Sequence, residues 1–281
     1  MQSKLSGNFA WRYYPLQLVS SLFAGADAEG LLKEIYGRAN ADYQDAPILY
    51  AFAMKDSSVE GSRKVFVQFF GDNFEKNKKY QSLPEGIVTG SNFFAIVLAN
   101  QILRDNNLPI RTLTSGDLGR LVESGIINLR GSYEDTALVL RTSGDSYKRN
   151  DYLARNLAEQ LKHRSISFSP EKPVLIQLKD LDLEIDGNSA YGLVFKLRDE
   201  AQVIQSKKLS HQNNLNRFNK TEKNGLPIFN KKGKRIFYAC RSNGLVGLGL
   251  YDGLNLISNW DDLGYSDADG RMGLVSSEAQ M

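Results

Sequence analysis

TALVLRTSGDSYKRNDYLARNLAEQLKHR, Thr136 to Arg164, joins two different periodicities through one polar loop. TALVLRT is an almost unbroken apolar run of strand length. In NDYLARNLAEQLKHR, Leu153, Leu157 and Leu161 recur one helical turn apart, which predicts an amphipathic helix. A strand feeding a helix is the repeating step of an α/β layer. This step sets the expectation for the chain around it.

The same grammar extends towards the N-terminus. LQLVSSLF and GLLKEIYGRA read as helices, and PILYAFAM and RKVFVQFF as strands. SNFFAIVLANQILRDNN reads as a helix capped by Ser91 and stopped before Pro109. SGDLGRLVESG predicts a shorter helix with Ser115 as its cap, Leu118, Leu121 and Val122 on one face, and Gly125 at its end. Beyond SISFSPEKP, with Pro170 and Pro173, helical periodicity fades and short extended runs take over. The fold class expected is α+β or α/β, with a mixed-sheet α/β part over residues 1–165 and a β-rich part over 166–281. GLVGLGLYDGLNL, rich in Gly and Leu, reads as extended structure with close backbone approach.

KDLDLEIDG, Lys179 to Gly187, alternates acids with aliphatics, and YGLVFKLR alternates after it. Period two sends Asp180, Asp182, Glu184 and Asp186 to one face and Leu181, Leu183 and Ile185 to the other. A hairpin turning at Gly187, Asn188 and Ser189 sets Ile185 opposite Tyr191, Leu183 opposite Leu193 and Leu181 opposite Phe195, with Asp180 meeting Lys196. Alternate carboxylates on a strand stand about 6.6 Å apart and diverge, so the face reads as solvated and not as a metal site. No metal ligands are assigned.

The loop TSGDSYKRND, Thr142 to Asp151, lies between strand and helix, where α/β proteins commonly bind ligands and helix amides attract phosphate. Ser143, Gly144, Asp145, Ser146 and Lys148 form a candidate phosphate cradle. The loop resembles the S-G-G-x-D-S loop of ATP-pyrophosphatases, one residue short and without the second glycine. That likeness implies nucleotide handling. The alternative is a polar turn with an Asn150 or Asp151 cap, which needs no ligand.

Charge is unevenly distributed. The chain of 281 residues carries a formal net charge of only +3. Between residues 206 and 241, however, ten Lys and Arg stand against one acid, Glu222, a net of +9. The tail after it holds Asp252, Asp261, Asp262, Asp267, Asp269 and Glu278 against Arg271, a net of −5. Aromatic and amide residues interleave with the basic run. Cations neutralise phosphates, rings stack on unpaired bases and amides read base edges, so the segment predicts nucleic-acid binding, with RNA or single-stranded DNA favoured. The residues assigned to it are Lys207, Lys208, Arg217, Phe218, Lys220, Lys223, Phe229, Lys231, Lys232, Lys234 and Arg235. Phe218 and Phe229, outside obvious strands, are the expected stacking rings. A structural or assembly role, with the basic segment meeting the acidic tail in one molecule or between two, is the competing expectation, and self-association would follow from it. FAWRYYP, Phe9 to Pro15, is a second docking candidate.

Composition excludes several other classes. One cysteine, Cys240, rules out an internal disulfide and multi-cysteine zinc sites, and His163 and His211 are the only histidines. The helix-end position of His163 suits a cation at the helix dipole. No G-x-S-x-G elbow, G-x-x-x-x-G-K-[ST] loop or G-x-G-x-x-G fingerprint is present. SDADG, Ser266 to Gly270, departs from a calcium loop at Tyr265. With neither a secretory signal nor a run of roughly 20 apolar residues, the expectation is a cytoplasmic protein off the membrane. No cofactor is assigned, and the residues leave open whether the protein is an enzyme.

Overall fold

A computed structural model describes residues 87–89, 92–105, 110–123, 133–210, 216–239, 244–251, 254–264 and 271–276. The segments LQLVSSLF, GLLKEIYGRA, PILYAFAM, RKVFVQFF and FAWRYYP lie outside them, as do Ser91, Pro109, Gly125, His211, Cys240, Arg241 and SDADG.

The first five residues of TALVLRT, Thr136 to Leu140, complete β3 (Glu134–Leu140), which is buried at every position. Its neighbours are β4 (Val174–Gln177) and β11 (Leu245–Tyr251), both antiparallel to it. The remaining strands of this sheet are β7 (Val203–Gln205), β8 (Asn216–Thr221), β9 (Pro227–Phe229), β10 (Arg235–Ala239) and β12 (Asn255–Trp260). Their order is β7-β4-β3-β11-β12-β10-β8-β9. β10 and β12 pair in parallel, so the sheet is mixed. The fold has mixed α/β character, with few helices and one large curled sheet dominating the described residues. That sheet takes β3 from before residue 165 and its other seven strands from after it.

Curling gathers one face into a common interior. Val139, Leu175, Val246, Leu248, Leu256, Phe237 and Phe218 meet there, joined by Leu209 and Leu226 from the connections. Arg141, wholly buried, belongs to the same parity as Val139; its Nε donates to Leu209 O at 3.1 Å and its Nη2 to Ser258 Oγ at 3.0 Å. The opposite face is covered by α1 (Phe93–Asp105) and α3 (Asp151–His163), against which the hairpin of β5 (Leu181–Ile185) and β6 (Leu193–Leu197) packs. Phe94 of α1 stacks on Phe195 with centroids 4.8 Å apart. Gly247 is where Phe93 approaches β11: an added Cβ would overlap the ring. The Gly-rich run is thus the close backbone approach that its composition predicted. A separate three-stranded sheet orders β1 (Ile87–Thr89), β13 (Arg271–Ser276) and β2 (Ile110–Thr112) as β1-β13-β2.

Helix ends differ in detail from the sequence expectation. α2 (Ser115–Glu123) is capped by Thr114, not Ser115. Thr114 Oγ1 accepts from Asp117 N at 3.2 Å and Asp117 Oδ2 accepts from Thr114 N at 3.0 Å, a reciprocal capping box. Ser115 instead turns inward to Thr136 Oγ1 at 2.6 Å. His163 does lie in the last turn of α3.

The hairpin keeps its expected faces but not its register. Leu183 stands opposite Phe195, Ile185 opposite Leu193 and Asp182 opposite Lys196. The loop is longer than three residues because Asp186 N donates to Gly192 O, and Gly192 takes a φ of 68°. A shift of two leaves every side chain on its face. Asp180 falls in a 3-10 turn and is buried beside Lys179 Nζ at 2.6 Å, so it does not join the wet ladder. Along that ladder Asp182 pairs with Arg104, Glu184 with Lys196, and Asp186 accepts from Tyr152 Oη at 2.7 Å. The Asn188 amide, ahead of Tyr152, holds Asp186 below the usual carboxylate range, and burial works weakly the other way.

Candidate nucleic-acid interface

The basic segment folds into the edge of the large sheet. β8 contains a lone aromatic, Phe218, between polar neighbours, and the curl carries it inside. β9 pairs with one side of β8 and β10 with the other, meeting at Phe218: Phe229 is its partner in β9 and Arg235 its partner in β10. Residues 230–234 must therefore pass over β8 to join them. Gly233 makes that crossing, and a Cβ there would overlap the Phe218 backbone.

Hydrogen bonds from backbone and side-chain amides hold the crossing in place. Asn230 N donates to Arg217 O at 2.7 Å, Lys232 N to Asn230 Oδ1 at 3.0 Å, and Lys234 N to Asn219 Oδ1 at 2.8 Å. Arg217 Nη1 reaches Gly233 O at 3.3 Å. Asn219 thus serves as scaffold, and so does Asn224, whose Oδ1 accepts from Leu226 N at 2.9 Å. With the backbone pinned, Lys231, Lys232 and Lys234 project outward, exposed.

The eleven residues assigned from the sequence separate into three groups. Arg217, Lys220, Lys223, Phe229, Lys231, Lys232 and Lys234 are exposed on the β8–β9–β10 edge or its turns, and Lys207 is exposed after β7. Among the described residues, Lys207, Lys220, Lys223, Lys231, Lys232 and Lys234 carry no ion pair. Lys208 is partly withdrawn: it pairs with Glu222 and donates to Pro227 O at 2.8 Å, tying the chain after β7 to the far edge of the sheet. Phe218 and Arg235 are interior. Phe218 has no exposed surface, and the Arg235 guanidinium lies 4.4 Å from its ring centroid, with Glu123 3.9 Å away. Burial lowers the Arg235 pKa, and Glu123 opposes the shift. Phe218 as a stacking ring is therefore corrected, because a base cannot reach a ring enclosed by the sheet. Both rings also lie within strands, contrary to expectation.

The edge contains a recess of about 480 Å³ lined by Asn216, Arg217, Phe229, Asn230 and Lys231. Phe229 is 38% exposed, backed by Phe237 at a 6.1 Å tilted contact and by Lys208 Nζ 5.8 Å from its centroid. Tyr238 on β10 and Ile228 on β9 are exposed too. The prominence of Tyr238 was legible in the alternation of RIFYA, where its neighbours Phe237 and Ala239 take the inner face.

The candidate phosphate loop is built differently from a cradle. β3 is antiparallel to both neighbours, so its end is not the switch point of a parallel sheet. Ser143, Gly144, Asp145 and Lys148 are exposed, but Ser146 Oγ accepts from Leu245 N at 2.9 Å and Thr142 donates to Gly144 O. A 3-10 turn, Lys148–Asn150, runs into α3, and the Asn150 and Asp151 amides already donate to Tyr147 and Lys148 carbonyls. Asn150 is the N-cap by position, yet its side chain is a buried crosslink: Nδ2 donates to Leu245 O and Asp261 O, and Oδ1 accepts from Tyr191 Oη at 2.9 Å. From the acidic tail, Asp262 pairs with Arg149, outside the basic segment. No described helix is long and apolar enough to cross a membrane, and no acid, His and Cys cluster suited to a metal occurs among the described residues. No family model, curated protein or solved structure matches the chain.

Proposed function

We propose that this protein binds nucleic acid, RNA or single-stranded DNA, along the β8–β9–β10 edge. One observation carries the reading: a recess lined by Arg217, Lys231, Asn216, Asn230 and exposed Phe229 opens beside a crossing loop whose lysines have no ion-pair partner among the described residues. Cations held in place without carboxylates are available to phosphate, and the fixed backbone lowers the ordering cost of binding. The contacting set is Arg217, Lys220, Phe229, Lys231, Lys232 and Lys234. Phe218 and Arg235 support it from inside. Five cations on the phosphates of a single strand give a slope of log affinity against log salt of about −3.5.

Fluorescence anisotropy with labelled single-stranded RNA, single-stranded DNA and duplex, repeated over a salt series, tests this. Wild type should bind with that slope, and reversing Lys231, Lys232 and Lys234 to Glu should abolish binding while the fold persists. Unchanged binding by the triple variant would remove the edge as the site. Salt-sensitive self-association in sedimentation, with no affinity for any polynucleotide, would replace the proposal with the assembly role.

A further inference from the structure

We infer that the recess at the β8–β9–β10 edge accepts one unpaired nucleobase, stacked on Phe229, so that the protein selects single strands over duplex. This rests on the nucleic-acid reading and narrows it. Three features point the same way.

The first is size. A recess of about 480 Å³ lies within the range of pockets that enclose small ligands, and duplex recognition instead requires an element that enters a groove about 12 Å wide. Here the elements are a three-residue edge strand and a turn lying flat across β8. Among the described residues of this edge, none forms a projecting helix.

The second is the ring. Phe229 packs beside Phe237 and Lys208, is 38% exposed, and lines the recess. An accessible aromatic ring is what base stacking uses, and it tolerates any base because every base has a π-face. Paired bases inside a duplex present no such face to a recess in a protein surface.

The third is the polar lining. Asn230, which lines the recess, commits its Oδ1 to Lys232 N, so its NH2 group is the part of the amide left to donate to acceptors on a base edge. Arg217 anchors one terminal nitrogen on Gly233 O and keeps further N–H donors for the adjoining phosphate, beside Lys231. The recess therefore places a stacking ring, an amide donor and two cations around a volume suited to one nucleotide.

The test compares three labelled probes of equal length: a single-stranded homopolymer, its duplex, and an abasic phosphodiester chain. Wild type should hold the single strand about tenfold more tightly than the abasic chain, the scale of one lost stack. Phe229→Ala should bring the single strand down to the abasic level without changing the salt slope, and Phe229→Trp should restore it. Emission of the Phe229→Trp protein, after subtracting wild type, should be quenched by the single strand and not by the abasic chain. Circular dichroism melting confirms that both variants fold. If Phe229→Ala binds the single strand as wild type does, or duplex and single strand bind equally, the base recess is refuted while nucleic-acid binding stands. If none of the three probes binds, the nucleic-acid reading falls, and this inference with it.

Discussion

Phe218 and Phe229 face each other across β8 and β9, yet one is sealed in the interior and the other is 38% exposed. Their substitutions should separate accordingly. Phe218→Ala opens a cavity beneath Arg235 and should cost about 3–5 kcal/mol in urea unfolding, enough to threaten folding at 37 °C. Phe229→Ala should cost about 1 kcal/mol and register in binding instead. Gly233→Ala forces a Cβ into the Phe218 backbone, which cannot give way as a flexible side chain would, and should destabilise by about 2–3 kcal/mol. Asn150→Ala removes the partner shared by the Leu245 and Asp261 carbonyls and the Tyr191 hydroxyl, and a loss of about 2–3 kcal/mol is expected by urea unfolding. At this scale the sequence identified the chemistry of the edge but not which members face water. Phe218 and Phe229 are each followed by Asn and Lys in the chain; their places in the curled sheet are what distinguish them.

Elements were more legible, because their periodicities are local. The strand at TALVLRT follows from a short unbroken apolar run, the helix of α3 from period 3.6, and the alternating faces of β5 and β6 from period two. Caps and register were not, since these depend on which of several neighbouring oxygens a turn selects. For α2 the capping box predicts that Thr114→Ala costs about 1 kcal/mol by thermal melting, whereas Ser115→Ala acts through its buried contact with Thr136. The tie between Lys208 and Glu222 predicts a pH response. The Lys208 hydrogen bond lowers the Glu222 pKa below its usual value, with burial opposing and Asn224 assisting. A depressed acid contributes stability that is present above its unfolded pKa and lost as pH falls through its folded value. Stability should therefore decline on the acid side of the ordinary glutamate range, and Glu222→Gln should flatten that limb in melts recorded across pH. An unchanged acid limb would show that the closure does not depend on this pair.

At the scale of the whole molecule, β3 is an inner strand of a sheet whose other members come from later in the chain. A fragment of residues 166–281 lacks the strand between β4 and β11 and should fail to give dispersed NMR amide signals, while addition of the preceding part in trans would be needed to complete the interior. The same curl brings Lys208, in the short turn after β7, to the β8–β9 turn and leaves β9 as a short, partly covered edge, which limits edge-to-edge aggregation.

By itself the sequence determined the strand and helix on either side of the 142–151 loop, the two faces of the β5–β6 hairpin and the accumulation of positive charge over 206–241, because side-chain patterning and charge are read from neighbouring residues. Only the tertiary structure decided that Arg235 and Phe218 are interior, that Lys208 is a closure, and that Arg217 and Lys231 line a recess with Phe229. The reason is physical: burial is settled by pairings between residues distant in the chain, and those pairings depend on how the whole sheet curls.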